Sequence, residues 1–451
     1  MHAAEQNRYG LFTCIAMIVG IVIGSGIFFK SDNILVATGG SVFLGVLVFL
    51  LGAIGIVFGG LCMSELAART DTHGGLIGYA EAFAGQRAAC SFGWFQVLLY
   101  YPTITVVVAW VVGIYTCMLF GWEGTLERQM LIGFGFLLIC FVFNVLSAKL
   151  GGWFQNATTV IKLLPLAFVA ICGLLFGDPA AGFANISAET FRSTGWLAAI
   201  GPIAFSYDGW IVSTSISHEV RHAKRNVPLA LITAPLFILL VYVLYFVGIT
   251  GYVGPENVMA MGDAHVEYAA THLLGSIGAK VLLVFVIVSV MGTVNGLVLG
   301  SIRLPQSLAL RGLIPLSPQL AKENEKLRMP VNSAAFAFAL CVFWSVVHYL
   351  TTRFQLLPNS DVSEISIAMS YLLYVVLYVQ VFRLFRHGEV KGWVRGVLIP
   401  VMATVGALLI LTGALQNWLF FAYAAFCLAV VAAAVVYYNV HVRKNLKNAQ
   451  S

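Results

Sequence analysis

Three groups of residues in this chain combine types and spacings that could do chemistry inside hydrocarbon. The first is Gly24-Ser25-Gly26-Ile27-Phe28, set in a run (9–29) that carries no charged residue. Each glycine within a helix costs about 1 kcal/mol relative to alanine, and backbone left unpaired in hydrocarbon costs more still. A binding site would offset that cost. A helix that stops near Ile23 and restarts near Ile27 exposes carbonyls on one side. On the other it exposes amide hydrogens, at the positive end of a new helix dipole. One broken helix can therefore hold both ends of a zwitterion. The second group is Phe205-Ser206-Tyr207-Asp208-Gly209-Trp210, another interruption of an apolar run. Its carboxylate costs about 2.5–3.5 kcal/mol at mid-membrane and so marks function. The third is Lys162, in Val160-Ile161-Lys162-Leu163-Leu164-Pro165. It either snorkels to the nearer surface or serves as a fixed internal cation.

The elements that must position these groups are membrane spans. The chain has 451 residues, of which 60% are hydrophobic and 10% charged, with a mean hydropathy of +0.91, which is the composition of an integral membrane protein. Runs free of charge predict about twelve helical spans. The clearest are 9–29, 33–64, 88–122, 129–148, 226–255, 281–302, 329–352 and 365–382. Two further spans, 155–176 and 195–217, carry Lys162 and Asp208, and the run 396–442 is divided by Gln416-Asn417. The two interrupted helices are five spans apart. An odd offset inserts the second unit from the opposite side, so 9–177 and 195–386 form an inverted repeat, followed by two additional helices in 395–442. All belong to one transmembrane domain, 1–451.

With the N-terminus inside, nineteen of the 25 Lys and Arg fall on the inner side. Lys30, Arg128, Arg192, Lys280 and Arg353 fall outside, and Lys162 lies in the membrane. This bias places both termini in the cytoplasm. The net charge of +6 then follows from topology, and no basic stripe or soluble domain supports nucleic-acid binding. The eight cysteines form no C-x-x-C pair and most of the histidines fall in loops or at span ends, so neither a metal, a disulfide frame nor a cofactor is expected. An enzyme would need a nucleophile and base, or clustered ligands, within the spans. A channel would need a repeated filter or a ring of charge. The chain offers neither, which leaves a carrier.

Five motifs in order resemble those of the amino acid, polyamine and organocation superfamily. They are Gly24 to Phe28, Gly60-Leu61-Cys62-Met63-Ser64-Glu65-Leu66, Phe205 to Trp210, Arg225-Asn226-Val227-Pro228 and Gly292-Thr293-Val294-Asn295-Gly296. Within the superfamily the chain is most similar to the L-type amino acid exchangers and their bacterial serine/threonine and alanine/serine/cysteine relatives. The resemblance implies an all-α membrane fold of twelve helices, with a LeuT-type 5+5 inverted repeat and broken helices 1 and 6. It also implies sodium-independent exchange of small neutral L-amino acids across the cell membrane by alternating access. A proton-coupled or cationic amino acid permease is the alternative, kept open by Asp208.

On the functional reading, the substrate carboxylate meets the amides of Ser25 and Gly26 and the Ser25 hydroxyl, within the turn Gly24 to Ile27. The bland reading of the same residues is a close helix crossing through small side chains. The resemblance implies that carbonyls of Val22, Phe205 and Asp208 hold the α-amino group and that Phe205 and Trp210 gate the site. It also implies that Lys162, with Thr293 and Asn295, replaces a coupling sodium ion. Glu65, Glu219 and Arg225 read as gate or loop ion pairs. This chain departs from its animal relatives at Ile211, where many have Asn, and at Ile77, where an aromatic is common. The loop 119–128 contains no cysteine for linkage to a heavy chain, so no disulfide-linked partner is expected.

Overall fold

Leucine is as well solvated by lipid as by a protein core, so helices in a chain this apolar associate through close packing of small residues. The computed structural model describes residues 10–70, 75–184, 192, 194–212, 214, 220–327, 329–357, 360–415 and 418–443. Among them the chain is helical, with one isolated bridge, Asn324 to Met329, outside the helices.

The first span is α1 (Leu11–Val22) and α2 (Ser25–Phe29), and α3 (Ser31–Ala37) follows α2 after the single residue Lys30. Next come α4 (Val42–Ala67), the short α5 (Leu76–Ala84), α6 (Gln86–Phe120), α7 (Leu126–Leu146) and α8 (Ala148–Phe176). The second interrupted segment begins with α9 (Ile200–Tyr207). It is followed by α10 (Ala223–Val253), α11 (His265–Leu310), α12 (Val331–Arg353), α13 (Val362–Arg386), α14 (Val394–Ala414) and α15 (Phe420–Val442). Among the described residues, eleven helical segments are long and apolar enough to cross a membrane. The segment expected at 195–217 is not among them, because its helix ends at Tyr207. The expected division at Gln416-Asn417 lies outside the described residues.

Local chemistry sets several boundaries. The Ser41 hydroxyl caps α4 by accepting the Leu44 amide at 3.3 Å, and Thr125 caps α7 through Arg128 at 3.4 Å. α11 is too long for one straight crossing, and it bends at Gly275, whose φ of +71° a side chain would resist. Glycines carry the packing. A methyl group at Gly60 would fall on the Leu231 carbonyl of α10, and one at Gly406 on Gly55 of α4. α6 contains one π-helical turn, Gln96–Tyr100, at the point where it reaches the centre of the bundle.

Candidate functional site

The first break is a matter of two residues. α1 ends at Val22, Ile23 is extended (φ −74°, ψ 90°), Gly24 has φ −138° and ψ −132°, and the helix resumes at Ser25. The restart is thus two residues earlier than the glycine pattern suggests. Gly26 belongs to the new helix, where its hydrogen is what lets α2 pass close to α9. A Cβ there would stand 2.5 Å from Cα of Ser206. The first amides of α2 and the last carbonyls of α1 have no helical partners. The side chain of Ser25 lies outside the described residues.

The second break mirrors it. α9 ends at Tyr207, Asp208 is extended (φ −72°, ψ 160°), and Gly209 takes φ +95°, a conformation that favours glycine. A methyl at Gly209 would lie 2.6 Å from Cγ2 of Ile21, on the turn of α1 just before its own break. The two interruptions therefore touch. A hydroxyl joins them: Tyr242 of α10 places its OH 2.8 Å from the Val22 carbonyl and 2.8 Å from the Ser206 carbonyl, so both acceptors share one donor. Its ring stacks on Tyr207 with centroids 5.3 Å apart.

Between the breaks is a cavity lined by Val22, Gly24, Gly26, Phe205, Asp208 and Thr293, with Ile104 and Val108 of α6 as its aliphatic wall. It is about 10 Å³, room for about one water molecule. The Asp208 carboxylate, 4% exposed, accepts a hydrogen bond from the Tyr100 hydroxyl at the π turn of α6. Such a buried carboxylate needs this partner.

Lys162 of α8 is completely buried. Its ammonium donates to the Gly20 carbonyl of α1 and lies 3.3 Å from Oγ1 of Thr293 on α11. It links three helices beside the first break. Asn295 does not join this contact. Its Oδ1 accepts from Asn144 at 2.8 Å, and its Nδ2 donates to the Gly151 carbonyl (3.0 Å) and to Gln155 (3.1 Å), which bonds α11 to α7 and α8 instead. Trp210 is fully buried beside the cavity-lining segment, with its indole N–H 3.2 Å from the Tyr371 hydroxyl. Ile27 is fully buried in the wall of α2. Glu65 pairs with Arg69 at 2.6 Å, and Glu219 lies outside the described residues.

The structure thus gathers Val22, Gly24, Gly26, Phe205, Asp208 and Thr293 around one space, with Lys162 one contact away. Sequence reasoning overlooked Tyr100, Ile104, Val108 and Tyr242. The aliphatic pair is indistinguishable from ordinary lipid-facing sequence. The tyrosines left a faint signal, a hydroxyl at the centre of an apolar run that must find an acceptor when buried.

The sequence profile of the family described as Amino acid permease matches residues 9–446. The chain is 30% identical over 419 residues to the serine/threonine exchanger SteT of Bacillus subtilis (strain 168), covering 91% of this chain and 92% of that one. It is 26% identical over 304 residues to the b(0,+)-type amino acid transporter 1 of Mus musculus (64% of this chain, 60% of that one). With the large neutral amino acids transporter small subunit 2 of Homo sapiens it shares 28% identity over 348 residues (74% and 63%). These relatives are transporters and exchangers rather than enzymes, and the many apolar helices agree with a multi-pass membrane protein.

Proposed function

Because this chain belongs to the amino acid permease family, we propose that it is a sodium-independent secondary transporter that exchanges small neutral L-amino acids across the cell membrane by alternating access. The observation that carries this reading is the meeting of two helix breaks, Ile23-Gly24 and Asp208-Gly209, at one cavity. Unpaired amides of α2 suit a carboxylate, and the carbonyls of Val22, Phe205 and Asp208 suit an ammonium. The backbone thereby binds what all amino acids share. The neighbouring side chains of Ile104, Val108 and Phe205 are apolar, which favours a neutral substrate, in keeping with the named substrates of SteT. The Tyr100 hydrogen bond ties Asp208 into the protein, which favours a neutral substrate over a cationic one.

In this reading Phe205 and Trp210 are gates, and Lys162 with Thr293 stands in place of a coupling sodium ion; the polar network around Asn295 braces the same helix. The architecture is twelve helices in a 5+5 inverted repeat, with 9–177 and 195–386 as its halves and 395–442 outside it. Both termini face the cytoplasm, and no disulfide-linked heavy chain is required. The test is uptake of a labelled amino acid panel into proteoliposomes, with and without internal amino acid and with sodium or proton gradients. Uptake of serine, threonine or alanine that depends on internal amino acid and ignores sodium is the expected result. Sodium-driven accumulation, or a preference for lysine or arginine, would overturn the reading.

A further inference from the structure

The described residues hold a second concentration of buried charge, away from the central cavity, where α2 passes into α3. Lys30 is 3% exposed, and its ammonium lies 3.1 Å from Asp361 and 2.7 Å from Glu364 at the start of α13. The same ammonium stands 5.0 Å from the centroid of the Phe205 ring, and that ring lines the cavity. Both carboxylates are held in place. Asp361 caps α13 by accepting the Ser363 amide at 2.8 Å, and Glu364 accepts the Ser360 hydroxyl at 2.7 Å. Asp32 of α3 and Asp263 before α11 lie within electrostatic reach of Lys30, as does His348 of α12 for Asp361.

One buried cation set between two carboxylates is stable only while the three stay together, because removing one side leaves uncompensated charge away from water. The cation also attracts the face of the aromatic ring it covers. Any movement of α2 and α3 away from α13 must therefore break the ion pairs and release Phe205 together. We propose that Lys30, Asp361 and Glu364 form a latch that closes the cavity from the Lys30 side, with Lys30 as the positioning residue for the Phe205 ring. The proposal rests on the transport reading above.

The experiment places a reporter, Ile104→Cys, in the cavity wall. Its modification by a membrane-impermeant thiol reagent, applied in proteoliposomes to the face on which Lys30 lies, is measured against the parent chain. Lys30→Met strands two buried carboxylates and is expected to raise the labelling rate at least about tenfold. The uncharged triple variant Lys30→Met/Asp361→Asn/Glu364→Gln keeps the shapes and the helix cap but has neither the ion pairs nor a cation over Phe205, so it too is expected to label faster than the parent, by at least about threefold. If Lys30→Met is not monodisperse, Asp361→Asn/Glu364→Gln strands the lysine instead and should give the same rise. An unchanged rate in the variants with stranded charge, or a triple variant that labels at the parent rate, overturns the latch. Labelling is read without substrate, so a wild type that carries no amino acid would refute the transport reading while the labelling still decides the latch.

Discussion

At the scale of single residues, two positions separate chemistry from packing. Lys162 touches α1 and α11 without lining the cavity, so its loss should alter the balance between conformations more than the binding of substrate. In Lys162→Ala we expect exchange to fall at least about tenfold while the affinity of solubilised protein shifts by less than about threefold. Flux in proteoliposomes beside scintillation-proximity binding measures both, and wild-type flux would return Lys162 to a merely structural part. Gly26 makes the complementary case. Its missing Cβ admits the backbone of Ser206, so even Gly26→Ala must push α2 away from α9. Exchange should drop severalfold or more in a variant that still elutes as a monodisperse peak. The same glycine thus serves the close crossing, whichever ligand its amide meets.

At the scale of elements, the second break depends on Gly209, whose positive φ and contact with Ile21 both exclude a side chain. A Cβ in that conformation costs about 1–2 kcal/mol before the clash is counted, so Gly209→Ala should lower the melting temperature in detergent by several degrees. A thermal shift within error of wild type would mean the turn relaxes without strain. How much of this was legible follows from the same physics. Glycine, serine and aspartate in an apolar run contradict a continuous helix, so both breaks were visible in the sequence. Bounds were less so: α2 resumes at Ser25 because Gly26 tolerates helix where packing rewards it. Partners from distant helices left no local pattern. Tyr242 lies among other aromatics of α10, and nothing in its neighbours announces that its hydroxyl ends between two broken helices. Asn295 stood beside Thr293 in sequence but points into another polar network, since neighbours two apart on a helix face different ways.

At the scale of the whole molecule, recognition through backbone groups makes a prediction about substrates that no side chain controls. Amino acid methyl esters and N-acetyl amino acids should fail to inhibit exchange at concentrations where the parent amino acid competes fully, because each leaves desolvated amides or carbonyls without a partner. Competition assays in proteoliposomes test this, and equal inhibition by the ester would count decisively against the carboxylate site. The aliphatic wall should matter separately. Val108→Ala enlarges the cavity by two methyl groups and should shift preference toward larger neutral side chains by about tenfold, the discrimination that a methylene or two provides. A panel of labelled substrates reads the shift.

The π turn at Gln96–Tyr100 lets one helix answer to two sets of neighbours. Before it, Cys90 and Trp94 of α6 face the Leu313 carbonyl, and Trp94 also meets the Tyr437 ring of α15. After it, Tyr100 reaches Asp208, Thr103 bonds Ser366 at 2.8 Å, and Ile104 and Val108 wall the cavity. A π turn holds one more residue than an α turn, and each residue is worth about 100° of rotation. The turn is in effect a phase shift written into the sequence by a single surplus amino acid. Deleting one residue between Gln96 and Leu99 would restore a regular helix and leave its two halves out of step by that angle, so that either the cavity wall or the contact with α15 could be correct, but not both.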